Sequence, residues 1–185
     1  MTQTRKIVAI LAGGKATRFD GQDKGEIEWG GKRFIDIICK RLALQSDDII
    51  ISGTDDYGRG YQFVPDVDDA PVGPVGGIYS LWQTLASTDI EGFYTVPVDG
   101  PNLPLDLTQR LYSPDTSTIA KDEFGRHPTF AWWRMTDLDR LRREVDFSKS
   151  FSLNKLADRA GAKEVAWAGS KSFININRKT DLKNL

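Results

Sequence analysis

The segment 11–24 combines backbone freedom with positive charge. Gly13 and Gly14 directly follow the apolar run at 7–11, and Arg18 and Lys24 come after them. Paired glycines let a backbone turn tightly and bring its N–H groups close to a ligand. Such donors, together with an arginine and a lysine, suit a polyphosphate. The pattern favours phosphate binding over the alternative, an ordinary surface loop with two solvated cations.

Two common phosphate-binding loops are excluded by spacing. The Rossmann fingerprint needs G-x-G-x-x-G, which the adjacent Gly13 and Gly14 do not offer. A Walker loop needs G-x-x-x-x-G-K-[ST], and the nearest approach, at 25–31, has Gly31 in the lysine position. We therefore expect phosphate binding without a Rossmann or a Walker motif.

Two aspartates follow apolar segments further along the chain. Asp99 comes directly after the run at 93–98, and Asp66 follows Pro65 at the end of 61–64. Carboxylate oxygens are the ligands that Mg²⁺ prefers, and it needs only one or two of them. The pattern favours a metal site at Asp99, although aspartates before Gly-Pro are also common in turns. The same alternative holds for Asp66.

The elements that must position these residues form an alternating series. Continuous apolar runs predict buried strands, and near-helical spacing of apolar residues predicts helices. We expect strands at 7–11, 48–52, 61–64, 92–98, 117–121, 128–133, 163–167 and 173–176, and helices at 34–45, from Pro74, at 104–112, 136–144 and 149–160, with Gly161 as a C-cap and a last turn from 181. This order predicts an α/β fold with three layers, α/β/α, around a mostly parallel sheet. Ligands bind such sheets at the carboxyl ends of the strands, where Gly13, Asp66 and Asp99 fall.

Composition narrows the class of protein. The chain has 185 residues with 25 Lys and Arg against 26 Asp and Glu, a net charge of −1, so bulk binding to nucleic acid or to an anionic membrane is not expected. One cysteine, Cys39, and one histidine, His127, cannot build a zinc site. No apolar run approaches the ~18 residues of a membrane helix, so we expect a cytoplasmic protein. Cys39 and His127 are predicted to be structural, as are Trp82, Trp132 and Trp133.

A set of short motifs recurs in a specific order over nearly the whole chain. The motifs are Leu11-Ala12-Gly13-Gly14, Arg18, Asp23-Lys24-Gly25, Gly30-Gly31-Lys32, Gly73-Pro74 with Gly76-Gly77, Asp99 with Pro101, His127-Pro128-Thr129 and Asn175-Ile176-Asn177. Together they resemble the molybdenum cofactor guanylyltransferases, a branch of the nucleotidyltransferases of glycosyltransferase-A-like fold. The resemblance implies a Rossmann-like fold similar to the nucleotide-diphospho-sugar transferases, in a single domain over 1–185. A nucleotide-binding half would span 1–110 and an acceptor-side half 111–185.

The same resemblance implies a reaction and a set of roles. GMP from GTP would be joined to the phosphate of molybdopterin, with pyrophosphate released. Catalytic roles would fall to Arg18, Lys24 and Asp99, with Asp99 holding Mg²⁺ or Mn²⁺. Ligand contacts would come from Leu11, Ala12, Gly13, Gly14, Lys24, Ser52, Asp66, Asp99, Asn175 and Asn177. A carboxylate such as Asp66 suits a ribose hydroxyl or a guanine N–H edge. Transient contact with proteins that handle the molybdenum cofactor would follow from the same role.

The chain departs from the family pattern at a few positions. Ser52 stands where asparagine is common, Asp20 where glycine is common, and Gly100 where threonine or methionine is usual. Two other functions therefore stay open at this point. The enzyme could transfer another nucleotide to another phosphate, such as a sugar 1-phosphate, or the protein could bind nucleotides without catalysis.

Overall fold

The computed structural model of this protein describes residues 5–13, 23–147, 149, 151–169, 172–176 and 181. The strands are β1 (Ile7–Leu11), β2 (Glu28–Trp29), β3 (Lys32–Arg33), β4 (Asp48–Ser52), β5 (Gln62–Val64), β6 (Gly92–Pro97), β7 (Thr118–Asp122), β8 (Gly125–Arg134) and β9 (Lys163–Ala166). The helices are α1 (Phe34–Leu42), α2 (Pro74–Leu85), α3 (Leu107–Leu111), α4 (Met135–Glu144) and α5 (Leu153–Ala160).

A seven-stranded sheet in the order β5-β4-β1-β6-β8-β7-β9 forms the centre of the protein. β8 pairs antiparallel with both of its neighbours, β6 and β7, whereas every other pair in the sheet is parallel. One continuous sheet therefore runs through both sequence halves. The carboxyl ends of β1, β4, β5 and β6 meet at one edge, as expected for a mostly parallel sheet.

Helices cover both faces of this sheet, which confirms the three-layer α/β/α arrangement. Alternate residues of a strand point to opposite faces, and β1 is buried on both. Ile7, Ala9 and Leu11 pack in one core with α2, α4 and α5, whereas Val8 and Ile10 pack in a second core with α1 and α3. Burying one such aliphatic side chain stabilises the fold by about 1.5–3 kcal/mol. The continuous apolar run of β1 therefore reflects its central place.

Local signals set several element ends. Pro74 and Gly161 act where the sequence predicted them, whereas α5 begins at Leu153 and not at 149. Pro74 occupies the first turn of α2, where its missing N–H costs no helical hydrogen bond. Ser152 caps α5 by accepting from the N–H of Lys155, and Gly161 ends the helix in the left-handed conformation at φ 71°. Cys39 lies on the buried face of α1, and the three tryptophans expected in the core are buried as well.

Two segments differ from the sequence-based expectation. A short hairpin, β2–β3, lies in a stretch to which the sequence assigned no element, with Gly30 and Gly31 at φ 59° and 74° between its strands. The strand predicted over 173–176 is wrong. The N–H of Ile176 donates to the carbonyl oxygen of Asp99 instead of joining a ladder, and Phe173 is buried against Phe130. Over the described ranges, no helix is long and apolar enough to cross a membrane.

Candidate active site

A cleft of about 280 Å³ opens at the carboxyl edge of the sheet. Every predicted site residue that the structure describes lies in its wall: Leu11, Ala12, Gly13, Lys24, Ser52, Asp66, Asp99 and Asn175. Gly14, Arg18 and Asn177 lie outside the described residues. The cleft therefore draws on both sequence halves, because Asn175 and Thr129 join a wall that is otherwise built from residues 11–99.

The backbone just past β1 is held by both neighbouring strands. The N–H of Ala12 donates to the carbonyl oxygen of Ser52 at 2.9 Å, and the N–H of Val98 donates to that of Leu11 at 3.1 Å. The sheet ladder thus continues to the edge of the cleft. Gly13 follows immediately, so the loop leaves the sheet from a fixed position.

Lys24 and Asp99 form an ion pair in the cleft. Lys24 Nζ lies 2.5 Å from Asp99 Oδ2, and the two side chains are 23% and 13% exposed. Asp99 extends past β6, whereas Lys24 begins a short 3₁₀ turn over 24–26. This turn is capped by Asp23, whose Oδ1 accepts from the N–H of Gly25 at 2.7 Å. The two predicted catalytic residues that the structure describes are thus in direct contact, although 75 positions separate them in sequence.

The C-terminal segment is fixed against the same aspartate. The N–H of Ile176 donates to the backbone carbonyl of Asp99 at 2.8 Å, and Ile176 is fully buried beside Ile27 and Phe34. This anchor places Asn175 in the wall of the cleft. An amide side chain from the end of the chain therefore stands beside the ion pair.

The first turn of α2 supplies a third wall. Gly73, Pro74 and Gly77 line the cleft. Gly73 is the N-cap residue of α2 and, as a glycine, has no side chain with which to cap the helix. A Cβ on Gly77 would lie 2.6 Å from Ser52 Oγ, so glycine at this position allows the helix start to approach β4. Backbone N–H groups at a helix start favour anions. Pro74 has no N–H and the N–H of Gly76 already donates to the carbonyl oxygen of Gly73, so the cleft gains the positive end of the helix rather than a further set of donors.

Asp66 lines the cleft just past β5, whereas Asp99 lies just past β6. Strands β4 and β1 separate these two strands in the sheet. Partial loss of water around its carboxylate raises the pKa of Asp66 above the ordinary value of 3.8. A hydrogen-bond donor from a ligand would relieve that desolvation. The position suits recognition of hydroxyl or N–H groups.

The donor set fits a Mg²⁺-like cation held mainly by a substrate. Asp99 offers a hard carboxylate oxygen that already contacts a cationic group. Among the residues described, no group of three or more His, Cys, Asp or Glu side chains is placed to hold a metal ion. Mg²⁺ is commonly bound by one or two carboxylates together with substrate phosphates and waters. Asp99 would be its protein carboxylate here.

His127 has the structural role that the sequence predicted. Its ring stacks on Phe173 with centroids 5.0 Å apart, and Nε2 lies 2.9 Å from Oδ1 of the buried Asp122. Asp122 also accepts from the N–H groups of Phe124 and Gly125, which closes the turn between β7 and β8. His127 therefore helps to join the C-terminal segment to β8.

Sequence reasoning did not single out Thr129 or the first turn of α2 as site residues, although both belong to motifs that carried the family resemblance. The only sequence signal for these residues was their position in motifs near strand ends. Sequence reasoning also missed Tyr57, whose hydroxyl donates to Asp23 Oδ1 at 2.8 Å. No motif marked Tyr57, because its role depends on how the β4–β5 loop folds.

This chain is similar to known proteins over most of its length. The family described as "MobA-like NTP transferase domain" matches residues 8–159. A molybdenum cofactor guanylyltransferase of Mesorhizobium japonicum is 31% identical over 188 residues, which cover 94% of this chain and 90% of that protein. One of Cereibacter sphaeroides is 29% identical over 177 residues, covering 94% and 91%.

Solved structures share the fold. Molybdopterin-guanine dinucleotide biosynthesis protein A from Archaeoglobus fulgidus gives a TM-score of 0.72 at 21% identity, with 96% of this chain and 95% of that chain covered. A Mycobacterium tuberculosis protein in complex with manganese gives 0.70 at 17% identity, with 98% and 97% covered. These matches show that both solved structures share the fold over nearly the whole of this chain.

Proposed function

Because the chain belongs to the family of MobA-like NTP transferase domains, we propose that it transfers GMP from GTP to the terminal phosphate of molybdopterin. The products are a guanine dinucleotide form of the cofactor and pyrophosphate. The observation that carries the proposal is the Lys24–Asp99 pair at 2.5 Å within a cleft at the carboxyl edge of the sheet. The names of the relatives supply the substrates.

The chemistry suits a site without a general base. An oxygen of the acceptor phosphate attacks the α-phosphorus of GTP, and the bond from that phosphorus to the bridging oxygen breaks. Pyrophosphate leaves with the electron pair, and no proton must be removed from the already ionised acceptor. The barrier is electrostatic, since two anions must meet, so positioning and cations are the required catalysts. His127, which stacks on Phe173, has no task in this step.

Lys24 and Asp99 have different roles toward the charge of the substrates: Asp99 would bind the metal ion, and Lys24 would neutralise the triphosphate. When bound, Mg²⁺ or Mn²⁺ would supply positive charge to the phosphate oxygens, with Asp99 as its protein ligand. Lys24 then exchanges the Asp99 carboxylate for the triphosphate, which it helps to neutralise as pyrophosphate departs. Arg18 is proposed to share that role. A related fold was solved with manganese, which supports a divalent ion.

The nucleoside and the acceptor are proposed to occupy opposite sides of the cleft. Leu11, Ala12 and Gly13 would contact the base and ribose together with Ser52 and Asp66, and Gly14 would add a backbone donor near the phosphates. Asn175 and Asn177 would face the acceptor, which the half beyond residue 110 receives. Delivery of molybdopterin implies transient contact with proteins that handle this cofactor.

The direct test is turnover by the purified protein. Incubation with GTP, Mg²⁺ and molybdopterin should release pyrophosphate and form the guanine dinucleotide product, detected by mass spectrometry. Asp99→Ala should abolish turnover while nucleotide binding persists. Folded protein that forms no dinucleotide would contradict the proposal.

A panel of nucleotides separates the proposal from its rivals. Thermal unfolding with GTP, CTP, UTP or ATP, each with Mg²⁺, ranks the ligands, since a ligand that binds the native state stabilises it by mass action. GTP should give the largest shift. A larger shift with CTP or UTP would favour a different nucleotidyltransferase. Binding without turnover on any acceptor would favour a non-catalytic module.

A further inference from the structure

Tyr57 adopts a backbone conformation that its side chain alone does not favour. Its φ is 57°, and it is the only non-glycine residue in the described part of the chain with a positive φ. Bulky residues rarely occupy the left-handed region, where glycine and asparagine are common. The residue is buried, with 8% of its surface exposed. Contacts of its side chain must therefore compensate for the backbone.

Those contacts converge on the turn that carries Lys24. The Tyr57 hydroxyl donates to Asp23 Oδ1 at 2.8 Å, the same oxygen that accepts from the N–H of Gly25 at 2.7 Å. The ring lies directly on Gly25, where a Cβ would come within 2.6 Å of Tyr57 Cε1. Burial raises the pKa of the Tyr57 phenol, so its hydroxyl stays protonated and can donate. Tyr57 thus contacts the residues on both sides of Lys24.

The loop that carries Tyr57 is itself anchored to α1. Arg33 Nη2 donates both to the carbonyl oxygen of Tyr57 at 3.2 Å and to Asp36 Oδ1 at 2.9 Å. Arg59 also pairs with Asp36. Asp56 accepts from the N–H groups of Gly58 and Gly60 at 2.9 and 2.8 Å. The tyrosine is therefore presented from a fixed support.

We propose that Tyr57 is a positioning residue that sets the approach of Lys24 to the triphosphate, acting through Asp23 and Gly25. It touches neither reacting group. The ring packs on Gly25 and so fixes the position of the turn over 24–26. The hydroxyl holds the Asp23 carboxylate, which caps this turn. The inference rests on the proposed function, since it assigns Lys24 to the phosphates.

The test removes one oxygen and compares two tyrosines of the same loop. Tyr57→Phe keeps the ring, and Tyr61→Phe is the matched control, because Tyr61 lies in the same loop but packs against the core beside α1 and not on Gly25. Calorimetry should show GTP affinity about tenfold weaker for Tyr57→Phe, because the turn that carries Lys24 must then be ordered when the nucleotide binds. Guanosine affinity should stay within about twofold for both variants, since the proposed role of Lys24 is toward the phosphates, which guanosine lacks. Equal GTP affinity in the two variants, or equal losses for GTP and guanosine in Tyr57→Phe, would overturn the proposal.

A second readout needs no nucleotide. In the free protein, the Gly25 amide should exchange with solvent faster and shift its NMR resonance in Tyr57→Phe but not in Tyr61→Phe. If the wild type binds no triphosphate, the proposed function fails, and this readout still decides the local claim. Asp23→Asn should act in the same direction, and the double variant with Tyr57→Phe should lose no more than either single variant. Additive losses would contradict the shared role.

Discussion

Lys24 and Asp99 permit a test of the metal assignment in the absence of any nucleotide. Replacing Lys24 with methionine removes the ammonium group that neutralises Asp99 and keeps most of the side-chain volume. Breaking a fully buried pair costs about 3–5 kcal/mol, whereas exposed pairs contribute less than about 1 kcal/mol. With side chains 23% and 13% exposed, this pair lies between those limits. We expect Lys24→Met to lose about 2 kcal/mol, a fall in Tm of about 4–8 °C for a chain of this size.

Magnesium should reverse part of this loss. Without Lys24, the carboxylate is free to take a divalent ion, and at ten times its Kd the ion stabilises the protein by about 1.4 kcal/mol. The Tm of Lys24→Met should therefore rise by about 3–6 °C on addition of MgCl₂. The wild type should respond less, because the ammonium group already occupies Asp99.

Differential scanning fluorimetry with and without MgCl₂ measures both effects. The matched control is Lys24→Met combined with Asp99→Asn, which removes the carboxylate as well and should not respond to Mg²⁺. An equal rise in the single and the double variant would place the ion elsewhere and refute the assignment to Asp99.

Two further variants test other walls of the cleft. Asp66→Asn removes a carboxylate whose raised pKa makes its own contribution to stability less favourable as pH rises above 3.8. Urea unfolding at pH 7 should therefore show a gain within about 0.5 kcal/mol, while GTP affinity falls about tenfold. A gain in GTP affinity would contradict this role. Gly77→Ala puts a Cβ 2.6 Å from Ser52 Oγ, so the Tm should fall by about 2–4 °C, and adding Ser52→Ala should restore it. An unchanged Tm in Gly77→Ala would show that α2 does not pack tightly on β4.

The order of elements and the location of the site could be predicted from sequence. The apolar run of β1 and the spacing in α2 reflect burial that depends mainly on residue type and period. The grouping of Gly13, Asp66 and Asp99 followed from a general property of parallel sheets, whose carboxyl ends share one edge, whereas Lys24 was assigned to the same site through the family resemblance. Every described residue of the predicted set lies in the resulting cleft.

The remaining features depend on contacts between distant segments. Residues 173–176 have the composition of a strand, but the N–H of Ile176 pairs with Asp99, 77 positions earlier by number, and no ladder forms. The β2–β3 hairpin has strands of two residues each, which are too short for a periodic signal, although Gly30-Gly31 is a known hairpin turn pair. The role of Tyr57 depends on a loop anchored by α1, and sequence spacing carries no record of that anchor.

The most direct measurement is the anomalous scattering of manganese in crystals grown with GTP. We predict a manganese peak within coordination distance of an Asp99 carboxylate oxygen and of the phosphates, with Lys24 Nζ turned from Asp99 to the triphosphate. A manganese ion bound away from Asp99, with Lys24 still paired to that carboxylate beside bound GTP, would contradict the proposed exchange of partners.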